Sequence, residues 1–398
     1  MRALLRHTYQ TVPFYRRRFD DAGFHPDQFR TLDDLRRVPI TTKNDLRAAA
    51  ESDAIAADCD PGRLIRYGTG GSTGAPTEVR FTWFEDRLLR LLRLDVIHRY
   101  GLRLRDLRCA VVYFPGPHRT GLMERLGILR YRAIHAFQPR NAIREALLKE
   151  RPDVIRGYPS ALSSLIEILS EEDRALIRPR WISTDSEKLT DLARTRIEAA
   201  FGAPVFDIYD CFECNVIAHQ CPKSNHYHVL DSSVVAEVLH EGIPVLPGES
   251  GELAFTSLHA WAAPLIRYMP GDLVQQGPSH CKCGAPNSCL SEVYGRTHDL
   301  FVLPSGRIIH PKIFAVGIYP LCPYLSRYQI VQDAAASIVV KLQPSAGVRL
   351  PPEQLETARS RMTRELAEDG VSLRIEVVDE IPSESNGKFR PYRAASAV

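Results

Sequence analysis

The sequence predicts an α/β fold in two parts, and three observations carry this. Short β-rich runs alternate with segments of helical period up to about Asp231. Beyond it, strand-like runs follow one another with only turns between them, as in an antiparallel layer. After "YGRTHDL" (Tyr294 to Leu300) the chain reads strand, helix, strand and closes in a polar loop. A chain of 398 residues is more than one core serves. The expected division is therefore a large N-terminal α/β domain, residues 1–295, with parallel sheets and an antiparallel layer, and a small α+β C-terminal domain, residues 296–398.

In chain order, "MRALLRHTYQTVPFYRRRF" is too mixed in character for a secretory signal. No apolar run approaches the roughly 20 residues of a spanning helix. A cytoplasmic protein without a membrane partner is expected. The arginines between Arg87 and Arg108 suit the solvated face of an amphipathic helix. "LRCAVVYF" (Leu107 to Phe114) has the pattern of a buried strand. "DVIRGYPSALSSLIEILSEE" gives a strand, a proline turn and a helix with Leu162, Leu165, Ile166 and Leu169 at helical spacing. "RPRWIST", "DLARTRIEAAF" and "APVFDIYD" continue as strand, helix and strand. "SVVAEVL", "SGELAFTSL" and "DLVQQ" form the later layer. "PPEQLETARSRMTRELAEDG" is the helix of the C-terminal part, followed by the strand "SLRIEVVDEIP". The net charge of +3 excludes a nucleic-acid surface, which needs a basic stripe.

The stretch "IRYGTGGSTGAPTEVRF" is rich in groups that hold phosphate. Glycine lets backbone N–H groups converge, and hydroxyls add donors. Thr69, Gly70, Gly71, Ser72, Thr73, Gly74 and Thr77 supply both. The lysine of a Walker loop is absent, so a P-loop ATPase is not supported. A surface hairpin is the alternative. In "DIYDCFE", Glu213 follows a strand end, where open α/β sheets bind ligands. It is suited to Mg2+, and Tyr209 to stacking on a base. Asp272 in "YMPGDLV" is placed to bind a ribose diol, and Arg296 stands at the domain boundary. Singly, each acid reads equally as a cap or a solvated charge.

The order of these stretches, closed by "SNGKFR" with Lys388, resembles the adenylate-forming superfamily of acyl-CoA synthetases, adenylation domains and luciferases. Within it the chain is similar to the phenylacetate-CoA ligase branch and related capsule-biosynthesis-associated proteins. "TGGSTGAPT", "FYRRRFDDAGFHPDQFRTLDDLRRVPITTKNDLR" and "IRGYPSALSSL" carry that likeness. The resemblance implies that ATP and a small carboxylic acid, aromatic by default, form an acyl-adenylate with loss of pyrophosphate. Thr69 to Thr77 would hold the phosphates, Glu213 the Mg2+ and Asp272 the ribose. Tyr209 and Asp210 would lie beside the nucleotide and Arg296 would contact it. Lys388 would reach the carboxylate and α-phosphate. A mobile C-terminal domain would then rotate, and a thiol such as coenzyme A would take the acyl group; a carrier protein or an amine are the other acceptors. A homodimer is compatible with this reading. Two residues depart from the pattern: Asp210 where glycine is usual, and His298 where an acid is usual. A catalytically silent nucleotide-binding homologue is the competing reading, and Lys388 argues against it.

Nine cysteines, an odd number, argue against a complete disulfide framework and suit reduced thiols. "CNVIAHQCPKSNHYHV" and the later "HCKCG" offer thiolate and imidazole in paired spacings that tetrahedral Zn2+ takes. Some capsule-associated relatives carry a Cys, a His and a Cys-x-Cys there, so the resemblance implies a structural zinc on Cys221, His228, Cys281 and Cys283. His226 rivals His228, and His219, Cys214, Cys289 and His280 lie further out. Cys59, Cys109 and Cys322 suit packing or surface thiols, and His98, His118 and His135 ordinary positions, with the border of an acid pocket as the alternative for His118; Trp83, Trp181 and Trp261 suit core or pocket wall.

Overall fold

A computed structural model describes residues 1–68, 78–112, 122–136, 138–384 and 387–395. The chain forms two compact units, Met1–Gly101 with Ile208–Val293, and Leu102–Asp207 with Tyr294–Val398. One break falls near the expected domain boundary. Residues 1–293 are shared between the two compact units. Packing within the second unit explains this. Leu192 of the helix Asp191–Phe201 joins the apolar core of the C-terminal segment. Arg196 also donates to the Leu325 carbonyl at 2.9 Å, and Arg327 to Ser164 Oγ at 3.2 Å.

In the first unit, helices Arg2–Thr11 and Pro13–Asp21 bury Leu4, Leu5, Phe14, Tyr15 and Phe19. Pro13 opens the second helix, where a missing N–H costs nothing. The later strands form the expected antiparallel layer. Val234–His240 pairs with Ser250–Ser257, which pairs with Asp272–Gln276. A side chain at Gly251 would put its Cβ 2.5 Å from the Leu239 carbonyl oxygen, so only glycine allows this approach. The strand Val205–Cys211 turns back antiparallel as Asn215–Gln220, with Tyr209 opposite Ala218 and Cys211 opposite Asn215. The strand Tyr227–Val229 pairs with Asn215–Gln220 on one side and with Cys289–Arg296 on the other.

The second unit contains the expected parallel sheet. Tyr131–His135, Arg108–Val112, Val154–Gly157 and Trp181–Asp185 lie side by side in that order. The three inner strands are buried nearly throughout, as helix-covered parallel strands need, while the edge strand Tyr131–His135 buries only Ile134. The helix Pro159–Ile166 buries Leu162, Leu165 and Ile166; Leu169 is buried too, but beyond the helix end. Thr190 caps the helix Asp191–Phe201, and left-handed Gly202 ends it. In the C-terminal segment, Leu325–Ala334 and Ser337–Pro344 are antiparallel. The helix Pro352–Arg364 then leads to Ser372–Val377, parallel to Ser337–Pro344.

Two expectations change. Trp181 is buried, but Trp83 is 64% exposed and lies under the Arg87 guanidinium, 5.5 Å from its ring centre, while Trp261 is 36% exposed. Trp83 opens the helix Trp83–Arg99 on its solvent face, which explains its exposure. Arg87, Arg90 and Arg99 are solvated as expected, whereas Arg93 turns inward. Among the described residues no helix is long and apolar enough to cross a membrane.

Gly251→Ala should destabilise the chain by roughly 1–3 kcal/mol, because the strand must shift to admit the methyl group. Urea unfolding measures this, and an unchanged midpoint would contradict the close approach.

Candidate active site and metal centre

The phosphate-loop residues Thr69, Gly70, Gly71, Ser72, Thr73, Gly74 and Thr77 lie outside the described residues, as does His118. The loop's stems are described. Ile65–Gly68 and Glu78–Phe81 form an antiparallel pair with Gly68 opposite Glu78. Tyr67 anchors one stem. Its hydroxyl donates to Asp86 at 2.7 Å, and Arg90 binds both Asp86 and the Tyr67 oxygen. Burial and the Asp86 bond push the Tyr67 pKa upward. The Tyr67 ring stacks on Phe212, centre to centre 6.2 Å, and Phe212 adjoins Glu213. The loop's base is thereby fixed beside the turn that carries the expected Mg2+ ligand.

That turn joins Val205–Cys211 to Asn215–Gln220, and it buries Glu213 to 3% exposure. Tyr268 donates its hydroxyl to Glu213 Oε1 at 3.2 Å. Tyr209 donates to Asp272 Oδ2 at 2.5 Å, and Asp272 is buried at the start of its strand. Asp210 meets Arg93, whose Nη1 lies 2.6 Å from Asp210 Oδ2 and 3.2 Å from Asn215 Oδ1. The side chains of this pair are 15% and 11% exposed. The added carboxylate at position 210 is thus neutralised within its own unit.

The second unit holds Arg296 and Lys388. Arg296 ends the strand Cys289–Arg296 and is half-buried. His298 is exposed, and the acid beside it, Asp299, pairs with Arg390. Lys388 Nζ donates to the Ser186 carbonyl at 3.2 Å and lies 5.7 Å from the Tyr158 ring centre.

The ligand atoms of Cys221, His228, Cys281 and Cys283 lie within 4.8 Å of one another. Cys281 Sγ is 3.8 Å from Cys221 Sγ, and Cys283 Sγ is 3.4 Å from His228 Nε2. Zn–S bonds of about 2.3 Å arranged tetrahedrally put sulfurs about 3.8 Å apart, so the donor set fits zinc. Burial raises the Cys281 thiol, yet hydrogen bonds from His228, Ser224 and the Cys283 region bring it down to about 5. The other candidates fall outside this group. His226 bonds through its backbone to Cys221 N–H, and His280 is exposed. Cys214 sits 3.5 Å from Cys211, and Cys289 Sγ faces the Asn287 carbonyl. His219 packs beside His228 and Tyr100, and burial pushes its pKa down to about 4.

Three partners were not anticipated from the sequence: Arg93, Tyr268 and Glu187, whose carboxylate accepts the Phe389 N–H beside Lys388 at 3.2 Å. Arg93 is one arginine among many on its helix. Tyr268 lies four residues before Asp272 in the same motif. Glu187 follows the end of a parallel strand, a position where the strand-end rule points.

The mixed α/β architecture with its C-terminal segment is that of the adenylate-forming CoA ligases. The comparisons agree. The CapK C-terminal domain family matches residues 301–392. Phenylacetate-coenzyme A ligase of Escherichia coli is 31% identical over 320 residues, covering 75% of this chain and 70% of the relative. The same-named enzyme of Thermus thermophilus is 27% identical over 425 residues, covering 98% and 94%. A crystal structure of 2-hydroxyisobutyryl-CoA ligase, in the postadenylation state with R3-HIB-AMP, shares the fold with a TM-score of 0.80. It is 24% identical, and the match covers 99% of this chain and 88% of that one. The chain belongs to the phenylacetate-coenzyme A ligase family, whose members are AMP-forming acid–thiol ligases.

Arg93→Ala should cost on the order of 3 kcal/mol, since it removes the guanidinium that neutralises the largely buried Asp210 carboxylate. Adding Asp210→Gly should recover most of that loss. A thermal-denaturation double-mutant cycle reads the coupling, and strict additivity would refute the pairing.

Proposed function

We propose that the chain activates a carboxylic acid with ATP, forming an acyl-adenylate and releasing pyrophosphate, and then passes the acyl group to a thiol such as coenzyme A. The observation that supports this most is the first unit's arrangement, in which the stacked Tyr67 and Phe212 hold the loop base beside buried Glu213, with Tyr209 and Asp272 bonded close by in the same sheet. In this reading Thr69 to Thr77 hold the phosphates through backbone N–H groups and hydroxyls. Asp272 accepts the ribose hydroxyls, and Tyr209, Asp210 and Arg296 line the nucleotide. Glu213 is the carboxylate for Mg2+, which when bound neutralises charge on the phosphates. Lys388 supplies positive charge where the acid's carboxylate meets the α-phosphate. Positioning and electrostatics do most of the work in such a transfer.

An aromatic acid is the proposed substrate class, as the relatives named phenylacetate-coenzyme A ligase suggest. Carrier protein and amine are the alternative acceptors. The chemistry is tested by measuring AMP and pyrophosphate release from ATP against aromatic and aliphatic acids, with hydroxylamine as the trap. If ATP binds and no acid supports release, the silent-homologue reading replaces this one. Lys388→Ala should lower adenylate formation by about 100-fold or more while leaving ATP affinity nearly unchanged. Adenylate formation at the wild-type rate would remove Lys388 from the mechanism.

We also assign structural zinc to Cys221, His228, Cys281 and Cys283. Four protein donors leave no open position, so the metal would pin two distant segments and take no part in catalysis. Elemental analysis should find about one zinc per chain. Cys281→Ser with Cys283→Ser should lose it and melt lower, by roughly 2–4 °C for each kcal/mol lost. A metal-free wild type of equal stability would end the assignment.

A further inference from the structure

The loop carrying Lys388 is held on both sides of the lysine by residues of its own unit. Glu384 N–H donates to the Lys388 carbonyl, and Gly387 N–H to the Glu384 carbonyl, each at 2.8 Å. Downstream, Arg390 pairs with Asp299, and Gln329 Nε2 donates to the Arg390 carbonyl at 2.8 Å. Ile330 N–H reaches the Pro391 carbonyl at 2.8 Å.

At the lysine itself, the partners come from the segment after the parallel strand Trp181–Asp185. Ser186 has φ +64°, a left-handed conformation uncommon for a residue with a Cβ. It directs its carbonyl to Lys388 Nζ. The next residue, Glu187, accepts three hydrogen bonds. Ser160 donates its N–H at 3.0 Å and its hydroxyl at 2.9 Å, and Phe389 donates its N–H at 3.2 Å. Ser160 lies in the first turn of the helix Pro159–Ile166, where free N–H groups favour an anion. One carboxylate thus ties a helix start to the backbone immediately after Lys388. The Phe389 ring lies beneath the Arg327 guanidinium at 4.6 Å, which fixes the other side of the same residue.

We propose that Glu187 is a positioning residue for Lys388: by holding the Phe389 backbone, its carboxylate sets where the lysine ammonium stands for the adenylate-forming step. This rests on the acid-activation reading above. Burial pushes the Glu187 pKa upward, while the Ser160 bonds and the Lys388 charge oppose that shift. A carboxylate suits the site because the Ser160 and Phe389 groups facing it are all donors. A glutamine amide sets its NH2 against either the Phe389 N–H or the Ser160 N–H, and in the second case a neutral oxygen replaces the charged acceptor, so the Phe389 bond is lost or weakened either way.

The test uses Glu187→Gln in the full chain, with Lys388→Ala and the double variant beside it. Hydrogen–deuterium exchange of the Phe389 amide reads the tether directly and needs no substrate. Acid-dependent ATP–pyrophosphate exchange reads the first half-reaction. Transfer from preformed acyl-adenylate to coenzyme A reads the second. Glu187→Gln should speed Phe389 exchange and cut pyrophosphate exchange on the order of 10- to 100-fold. ATP affinity and thiol transfer should stay near wild type, and in the Lys388→Ala background the change should cost adenylation nothing further. A parallel fall in both half-reactions, or an additional loss in the double variant, would mean a general structural role and overturn the proposal. Unchanged Phe389 exchange would do the same. If Glu187→Gln fails to fold, Ser160→Ala removes one donor and is read in the same three assays. Lys388→Ala separates the two readings. Full adenylation in that variant removes the mechanism on which the proposal depends, whereas its loss alongside an unaffected Glu187→Gln removes the positioning role alone.

Discussion

A carboxylate taken out of water must find donors, and this requirement organises both units. Asp272 receives the Tyr209 hydroxyl, Glu213 the Tyr268 hydroxyl, and Asp210 the Arg93 guanidinium. Glu187 takes three donors, and the fully buried Asp185 is paired with Arg156. An unpaired buried charge costs several kcal/mol, so each partner is bound to its acid by the stability of the whole. Asp185 and Asp210 stand at the carboxyl ends of their strands and Glu187 and Glu213 in the segments that follow, where a sheet presents groups to a ligand, whereas Asp272 begins its strand. The bonds that keep the fold together therefore also set the orientation of the candidate site groups.

This bears on the two departures from the family pattern. Asp210 adds a charge where glycine is usual, and Arg93 absorbs it from a helix more than a hundred residues earlier in the chain. His298 replaces an acid, but Asp299 follows it and pairs with Arg390, two residues after Lys388. The negative charge near that position is displaced by one residue and tied to the lysine loop. Asp210 and the acid beside His298 are thus each paired with an arginine of their own unit.

The cysteine–histidine cluster is assembled by strand pairing. Cys221 and His228 flank the turn between adjacent strands, while Cys281 and Cys283 come from a loop some fifty residues later. The register brings them together, with His228 opposite Cys289. Closing a long loop removes more freedom from the unfolded chain than closing a short one. Cys214, close to Cys221 in sequence, is held instead against Cys211 across the Glu213 turn, because the antiparallel reversal there sets the two thiols face to face.

The sequence by itself determined the strand–helix alternation, the later antiparallel layer and the identity of the chemically able residues. Those signals are local: hydrophobic period, caps, turn residues and ligand types within short spans. It showed Tyr209, Glu213, Asp272 and Lys388 as candidates, and offered both His226 and His228 beside the cysteines. It could not say which histidine meets Cys281 and Cys283: the two are two positions apart, so strand alternation does not separate them, and only His228 lies within the strand Tyr227–Val229 while His226 stands in the turn before it. Nor could it separate Arg93 from its neighbouring arginines, or show that residues 102–207 pack with the C-terminal segment. Trp83 reads as core by residue type, yet the helix turns it to solvent. Partners far apart in sequence are chosen by packing and by the need to satisfy buried charge, and only the tertiary structure fixes those.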